Sequence, residues 1–357
     1  MYGQDEWLSP ARVQKPAYSP CLPGFLFSVG YGIMIVAGGG IIGLSCAWRL
    51  AQRGVPVTVF DAREIGAEAS WAGAGMLSPG GEAESDSPFS RMAVASLAQY
   101  GDFVEELQNA SGIAIDFSRC GAMEFAFTDE EALALDRRVA GQTALGICSE
   151  AAGPRRRFYP DDALVDPRDV VSALRVACAR EGVTFREHEP VGEIACREEI
   201  LIAAGAWSSA LLPATPPRSV PVRGHLIAFD GSGLRLHHML RQSHTYIVQR
   251  ARTGRIIAGS STEHVGFDRR IDDAITRDIH SRAARLLPAL ADLTPSERWN
   301  GFRPALAEGT GPVLERVEGT NIWTAYGHYR NGILLAPETA RIITAMFMHD
   351  REIMEKS

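Results

Sequence analysis

Three glycines and one aspartate near the start of the chain have the types and spacing needed to bind a dinucleotide. Gly38, Gly40 and Gly43 form a Gly-x-Gly-x-x-Gly pattern after the apolar run 33–37, and Asp61 follows the next apolar run, 57–60. In this pattern the first glycine permits a tight turn, the second lets a pyrophosphate approach the backbone, and the third lets a helix lie close to a strand. The N-terminus of that helix would favour the phosphates, and the aspartate would bind a ribose hydroxyl.

The elements that must position these residues are also visible in the sequence. A glycine triplet alone is a weak signal, but here a strand over 33–37 precedes it, and a helix over 41–53 follows and stops at Gly54. A second strand over 57–60 then leads to the aspartate. This strand–helix–strand order is that of a nucleotide-binding βαβ unit, so the sequence predicts a dinucleotide-binding domain.

Hydrophobic periodicity predicts further helices and strands downstream. A helix is expected where Leu97, Tyr100, Val104 and Leu107 share one face, and others are expected over 168–180, 273–287 and 333–346. Strands that would rejoin the first sheet are expected at 183–186, 200–205 and 321–326. Strands of a second, antiparallel sheet are expected at 219–229, 245–249 and 255–260. Residues 113–127 alternate like two paired strands, with a turn near Cys120 and Gly121.

Composition and charge exclude several classes of partner. The 357 residues carry a formal charge of −7 without a basic stripe, so we expect no nucleic-acid partner. The six cysteines show neither a C-x-x-C motif nor a paired metal-binding spacing, which is typical of reduced thiols in a cytoplasmic protein without a structural metal.

One uncharged stretch raises the alternative of a membrane span or secretory signal. Residues 16–48 are long enough to cross a bilayer, but three prolines and several glycines interrupt them. Their second half is already explained by the nucleotide-binding strand and loop, and no basic region precedes them. We therefore expect no membrane anchor, and we interpret residues 1–32 as a disordered extension.

Five motifs, taken in order, resemble those of the flavin-dependent D-amino-acid oxidase family. They are ASWAGAGM at 69–76, AAGAWS at 203–208, PVRG at 221–224, WNGFRP at 299–304 and GHYRNGILLAP at 327–337. The similarity runs from about residue 33 to residue 346, and the last motif is the most specific. The resemblance implies an α/β fold in which an FAD-binding, Rossmann-like domain is interleaved with an α+β substrate domain built on an antiparallel sheet. It places the first domain in residues 33–85, 166–215 and 321–350, and the second in residues 86–165 and 216–320.

The resemblance also assigns roles to individual residues. It implies that Arg303 anchors a substrate carboxylate, with Tyr246 and Arg330 beside it, and a guanidinium fork matches a carboxylate in two parallel bonds. It implies that Thr262 lines the substrate pocket. For non-covalent FAD it implies contacts from loop and strand-end residues and from the last helix, namely Gly38, Gly40, Ile41, Ile42, Gly43, Asp61, Ala62, Ser70, Gly75, Met76, Val191, Gly205, Trp207, Asn331, Gly332, Ile333 and Leu334. No cysteine follows Cys196, so a covalent flavin link from the C-terminal part is not expected.

Several of these assignments have a structural alternative that the residues alone leave open. Arg303 could form an internal ion pair, and Tyr246 could pack in the core with a satisfied hydroxyl. Asn331 and Gly332 could simply cap the last helix. His328 invites a role as a base, but hydride transfer to a flavin requires none from it, so we interpret it as structural.

The function implied by the resemblance is oxidation of a small amino acid, most simply glycine, with sarcosine and small D-amino acids as alternatives. O₂ would accept the electrons, and the products would be glyoxylate (through its imine), ammonia and H₂O₂, with a role in thiazole synthesis for thiamine and a homo-oligomeric assembly. Two other functions stay open: a D-amino-acid dehydrogenase that passes electrons to a quinone or carrier, and an inactive flavin-binding relic. The relic hypothesis depends on residues 192–199, which replace a much longer three-stranded meander of the family.

Overall fold

The structure, a computed structural model, describes residues 32–191, 198–212, 217–231 and 233–355. Within these ranges the strands, in chain order, are β1 (Met34–Ala37), β2 (Val57–Phe60), β3 (Met76–Leu77), β4 (Phe117–Ser118), β5 (Ala122–Phe125), β6 (Glu150–Ala151), β7 (Arg156–Tyr159), β8 (Ala163–Val165), β9 (Thr184–Arg186), β10 (Glu199–Ile202), β11 (Ser219–Phe229), β12 (Met239–Gln242), β13 (Thr245–Gln249), β14 (Ile256–Gly259), β15 (Glu297–Leu306), β16 (Val313–Arg316) and β17 (Ile322–Tyr326). The helices are α1 (Ile41–Ala51), α2 (Ala69–Ala72), α3 (Pro79–Glu82), α4 (Pro88–Ser111), α5 (Asp129–Thr143), α6 (Pro167–Arg180), α7 (Ser208–Leu211), α8 (Asp273–Leu286) and α9 (Gly332–Glu355), with 3₁₀ turns at Gly205–Trp207 and Pro288–Leu290.

A six-stranded sheet in the order β16-β17-β10-β1-β2-β9 forms the centre of the first domain. Its strands are parallel except β16, which runs antiparallel to β17. Every residue of β1 is buried, as expected for a strand at the centre of a parallel sheet. Since β1 lies between β2 and β10, successive connections leave it in opposite directions, and ligands bind in the crevice at such a switch point. The predicted βαβ unit is thus confirmed, with α1 ending two residues earlier than expected.

Helices α1, α4, α6 and α9 pack against one another and build the largest hydrophobic core. Their starts are encoded locally, because Ser87 accepts a hydrogen bond from the Ser90 amide at the start of α4, and Asp166 caps α6 in the same way. Helix α4 buries Tyr100, Val104 and Leu107 in this core, as the periodicity predicted. Helix α4 lies in the segment 86–165 that we expected in the substrate domain, but its packing favours placing it with the first domain. The domain limits stay a prediction.

An eight-stranded sheet in the order β15-β11-β14-β13-β12-β5-β7-β6 forms the second domain. Its neighbouring strands are antiparallel except β12 and β5. Helix α8 covers one face through Ile279 and Ala283. Trp299 packs from the sheet onto Ala72 and Ala74 of the first domain, and its indole N–H donates to the Ala72 carbonyl at 3.0 Å. The strands predicted for this sheet are confirmed.

The prediction of a strand pair over residues 113–127 is wrong. Strand β4 pairs with β8 in a small three-stranded sheet, whereas β5 pairs with β7 and β12 in the eight-stranded sheet. The turn at Cys120 and Gly121 therefore carries the chain from one sheet to another, because each strand finds a longer-range partner. Helix α5 and strand β15 were not predicted.

The last helix extends to Glu355, nine residues beyond the predicted end at residue 346. None of the helices in the described ranges is long and apolar enough to cross a lipid bilayer. Residues 1–31 of the expected extension (1–32) lie outside the described residues. So do residues 192–197 of the shortened meander segment (192–199).

Candidate active site

One continuous cavity of about 710 Å³ runs between the two domains, starting at the carboxyl ends of β1, β2 and β10. This volume is in the range of cofactor and small-molecule sites. The predicted site residues line it, with the exception of Gly43 and Leu334. Residues from distant parts of the chain therefore meet at one place, as the order of motifs predicted.

The glycine turn after β1 is shaped to receive phosphates. Gly38 has a φ of +113°, a conformation that side chains rarely adopt, and a Cβ atom on Gly43 would lie 1.9 Å from the Gly38 carbonyl oxygen. Helix α1 can approach β1 this closely only because Gly43 has no side chain. The N-cap residue Gly40 has no side chain to cap α1, and the start of this helix lines the cavity, where its positive end suits an anionic ligand.

Two side chains hold this turn in place. Ser70 Oγ accepts a hydrogen bond from the Ile41 amide at 2.9 Å. Asp61 accepts bonds from the Gly39 and Arg63 amides at 2.8 and 2.9 Å. Burial raises the pKa of Asp61, although the two amide bonds lower it. A fixed carboxylate beside the glycine turn is the arrangement that binds a ribose hydroxyl in dinucleotide sites.

The middle of the cavity is enclosed by backbone from both domains. Gly75 and Met76 at the start of β3 contribute to one wall, and Asn331, Gly332 and Ile333 at the start of α9 contribute another. The remaining predicted cofactor contacts that line this region are Ala62, Val191, Gly205 and Trp207. The amide groups at the start of α9 would favour negative charge in the cavity.

The side chain of Leu334 does not line the cavity, and the backbone contact with the cofactor that we expect from this residue stays a prediction. Its side chain is buried in the core between α9 and α4, and its carbonyl accepts a hydrogen bond from Ser96 Oγ at 2.6 Å. Two residues after the start of a helix, the side chain has already turned away from the cavity. Any contact of Leu334 with a cofactor would have to come from its backbone.

Arg303 and Tyr246 meet at the far end of the cavity. Arg303 lies on β15 opposite Val222, and its guanidinium occupies the space over Gly224, where a Cβ would come within 2.3 Å of Nη1. Tyr246 lies on β13, which β11 and β14 separate from β15, and it lines the same cavity. Burial raises the pKa of Tyr246 above its ordinary value, and the nearby Arg303 lowers it by less, so the phenol remains a proton donor. A charged fork and a neutral donor in one pocket fit a carboxylate.

Arg330, His328 and Thr262 also line the cavity. The Arg330 guanidinium lies 3.8 Å from Glu82 and 5.0 Å from the centre of the Tyr329 ring. His328 is buried and hydrogen-bonded to Thr339 Oγ1 at 3.0 Å, and burial lowers its pKa to about 3. A histidine that stays neutral at ordinary pH fits the structural interpretation of His328.

Sequence reasoning missed a buried arginine in the same wall. Arg241 lies opposite Tyr246 across the β12–β13 hairpin and forms ion pairs with Glu124 and Asp162, both at 2.7 Å. Burial opposes its charge, but the two carboxylates raise its pKa, so it stays protonated. The signal available in the sequence was the tight turn at Ser243 and His244, which pairs position 241 with position 246.

A family model described as FAD dependent oxidoreductase matches residues 34–346. The chain belongs to this DAO family of FAD-dependent oxidoreductases. The glycine oxidase of Bacillus licheniformis is 32% identical to it over 352 residues, with 88% of this chain and 92% of that protein covered. The bifunctional protein ThiO/ThiG of Synechocystis sp. is 32% identical over 347 residues, but the chain spans only 52% of its length. The crystal structure of glycine oxidase from Geobacillus kaustophilus superposes with a TM-score of 0.82 at 29% identity, covering 88% of this chain and 93% of that one.

The predicted family, fold and FAD cofactor are therefore confirmed. The open helix N-terminus, the glycine cradle and Asp61 suit the pyrophosphate and ribose of FAD, while the α9 turn suits its ring system. The roles of individual residues toward cofactor and substrate stay predictions.

Proposed function

We propose that the protein oxidises glycine with O₂ at the Arg303–Tyr246 end of the cavity. The observation that supports this most strongly is the position of the Arg303 guanidinium, which lines the same cavity as the dinucleotide cradle at Gly38 and Gly40. An enzyme that binds a carboxylate at one end of a flavin site acts on a carboxylic acid. The similarity to glycine oxidases supports glycine, the smallest amino acid, as that substrate.

In this proposal the chain itself binds and orients the substrate. Arg303 donates two parallel hydrogen bonds to the carboxylate, which fixes the angle of the Cα–H bond. Tyr246 donates a third, because burial keeps its phenol protonated. Together they hold glycine in one orientation relative to the cofactor.

FAD, when bound, supplies the acceptor for the hydride that leaves the substrate Cα. The amides at the start of α9 and the Arg330 side chain line the middle of the cavity and stabilise negative charge there. His328 neither donates nor accepts a proton in this scheme. The overall reaction is balanced as glycine, O₂ and H₂O giving glyoxylate, NH₃ and H₂O₂.

The thiazole branch of thiamine biosynthesis is our proposal for the pathway. The resemblance to the family members that oxidise glycine for this branch led to it, and the similarity to a bifunctional protein ThiO/ThiG supports it. Cysteine usage remains our basis for expecting a cytoplasmic protein, and homo-oligomerisation is likewise a proposal from the resemblance.

An aerobic assay of the FAD-loaded protein tests this function. Glycine, sarcosine and D-alanine are supplied in turn, and O₂ uptake, H₂O₂ release and glyoxylate are measured together. We expect one H₂O₂ for each O₂ consumed, with glycine among the substrates. Substrate oxidation that requires an added quinone and yields no peroxide would replace the oxidase with a dehydrogenase, and bound FAD without turnover of any of the three would support the relic.

A further inference from the structure

Ser260 lies next to both groups that would bind the carboxylate. It follows β14 directly and lines the cavity, and its Oγ accepts a hydrogen bond from Arg303 Nη2 at 2.8 Å. Arg303 Nη1 donates to the neighbouring Ser261 carbonyl at 3.0 Å. The Tyr246 hydroxyl lies against the same segment, because a Cβ added at Gly259, the residue before Ser260, would meet it at 2.5 Å. Burial raises the pKa of Tyr246, and the nearby Ser260 side chain lowers it by less. The Ser260 hydroxyl thus bonds the Arg303 guanidinium and lies near the Tyr246 phenol.

The backbone around Ser260 is fixed from outside the cavity. Its amide donates to the His244 carbonyl at 3.2 Å, and its carbonyl accepts from Arg282 Nη2 at 3.2 Å. Arg282, on α8, also donates to Thr245 Oγ1 at 2.7 Å, which ties the segment after β14 to the start of β13. The position of the Ser260 hydroxyl relative to Tyr246 is therefore set before any substrate binds.

The chemistry of the three groups decides the direction of each proton. A guanidinium can only donate, so Ser260 Oγ must accept from Arg303, and its own proton is left for another acceptor. The oxygen of Tyr246 is the neighbouring acceptor. If Ser260 donates to that oxygen, the phenol proton must point elsewhere, toward the cavity where the substrate carboxylate would lie.

We propose that Ser260 is a positioning residue that turns the Tyr246 proton toward the substrate carboxylate, with Arg303 fixing the Ser260 hydroxyl in the accepting orientation. This inference rests on the proposed carboxylate site. It assigns to Ser260 a role in substrate affinity that acts through Tyr246, beyond the support it gives to Arg303.

A double-mutant cycle on the FAD-loaded protein tests the inference. The probe is acetate, which carries a carboxylate but no amine, and its Kd is measured from the change in flavin absorbance. We expect Ser260→Ala to raise the Kd by about 10-fold, the effect of one hydrogen bond to a charged group. In the Tyr246→Phe background the same substitution should raise it by only about 2-fold, since the proton it orients is gone. Ser281→Ala, which removes a serine hydroxyl from the exposed side of α8, is the matched control and should leave the Kd unchanged.

The outcomes separate this inference from the proposed function. An unchanged Kd for Ser260→Ala, or an equal factor in both backgrounds, would overturn the role of Ser260. Arg303→Ala is measured in parallel: if it weakens acetate while Ser260→Ala does not, the carboxylate site stands and only the positioning role fails. If Arg303→Ala leaves the Kd unchanged, the carboxylate site itself is misplaced and the inference falls with it.

Discussion

Arg303 owes its position to a residue on the neighbouring strand. Its guanidinium fills the space that a side chain at Gly224 would take, and it is held there by Ser260 and Ser261. We expect Arg303→Ala to raise the apparent KM for glycine by about 100-fold or more, because two charge-assisted bonds are lost, while bound FAD is retained. Arg303→Lys keeps the charge but not the planar fork, so its KM should lie between that of the native protein and that of Arg303→Ala. Steady-state kinetics with the flavin content measured alongside check this, and a native KM for Arg303→Ala would disprove the anchor.

His328 makes stability depend on pH. Its pKa is about 3 in the folded protein because it is buried, against about 6.5 for an ordinary histidine. The unfolded chain therefore binds a proton between these values that the folded protein does not, and stability falls as the pH drops through this window. One such group contributes a slope of about 1.4 kcal/mol per pH unit.

Replacing His328 with a residue that does not titrate should remove this slope. We expect His328→Gln to lose less free energy of unfolding than the native protein between pH 5.5 and 4.5, by about 1.4 kcal/mol at most. Urea unfolding at the two pH values measures it, with the exposed His349→Gln as the control. Equal losses in native protein and His328→Gln would mean that His328 is protonated in the folded state.

At the residue scale, most of the residues that the motifs predicted for the site line the cavity. Gly38, Gly40 and Asp61 follow a spacing that the βαβ unit itself imposes, and Arg303 lies in a motif of the family. Ser260 and Arg241 were not predicted as site residues, because their hydrogen-bond partners are distant in sequence. Arg303 lies 43 residues from Ser260, and Asp162 lies 79 residues from Arg241. Only the folded sheet brings such pairs together.

At the scale of elements, the contact between α1 and β1 determines whether the cofactor site exists. An added Cβ at Gly43 would meet the Gly38 carbonyl oxygen at 1.9 Å, so the helix would have to move outward. We expect Gly43→Ala to destabilise the protein by about 1–3 kcal/mol, as overpacking does, and to weaken FAD binding in addition. Gly233→Ala is the control, because a Cβ there meets nothing within 4 Å. Unfolding midpoints measure the change in stability, and FAD titrations measure the change in affinity. If Gly43→Ala had the stability and FAD affinity of the native protein, the packing of α1 would not depend on this contact.

Helices that have a clear hydrophobic periodicity or a capping residue could be predicted from the sequence. Strands whose place depends on pairing with a distant strand could not. Helices α6 and α8 begin at capping aspartates and carry one buried face, so their limits agree with the prediction to within a residue at each end. Strands β4 and β5 are short and adjacent, which suggested a pair, yet each joins a different sheet. Strand pairing depends on partners that local alternation does not specify.

At the scale of the whole molecule, the cavity exists because the two sheets are interleaved along the chain. The first sheet contributes the end at β1, β2 and β10 where we expect the phosphates, and the second contributes the end at β13 and β15 where we propose the carboxylate. Neither part alone would hold a cofactor and a substrate together. The order of motifs could indicate the fold, but only the three-dimensional structure shows that residues of both sheets line one cavity.

If glycine gives its hydride to FAD in this cavity, it must reduce the flavin in the absence of O₂, and an anaerobic titration measures this reduction. Glycine is added without O₂ to the purified, FAD-loaded protein while the absorbance of oxidised flavin is followed. We predict that this band bleaches, and that Arg303→Ala shifts the bleaching to much higher glycine concentrations. A flavin band that glycine leaves unchanged, in a protein that carries its full complement of FAD, would mean that glycine is not a substrate.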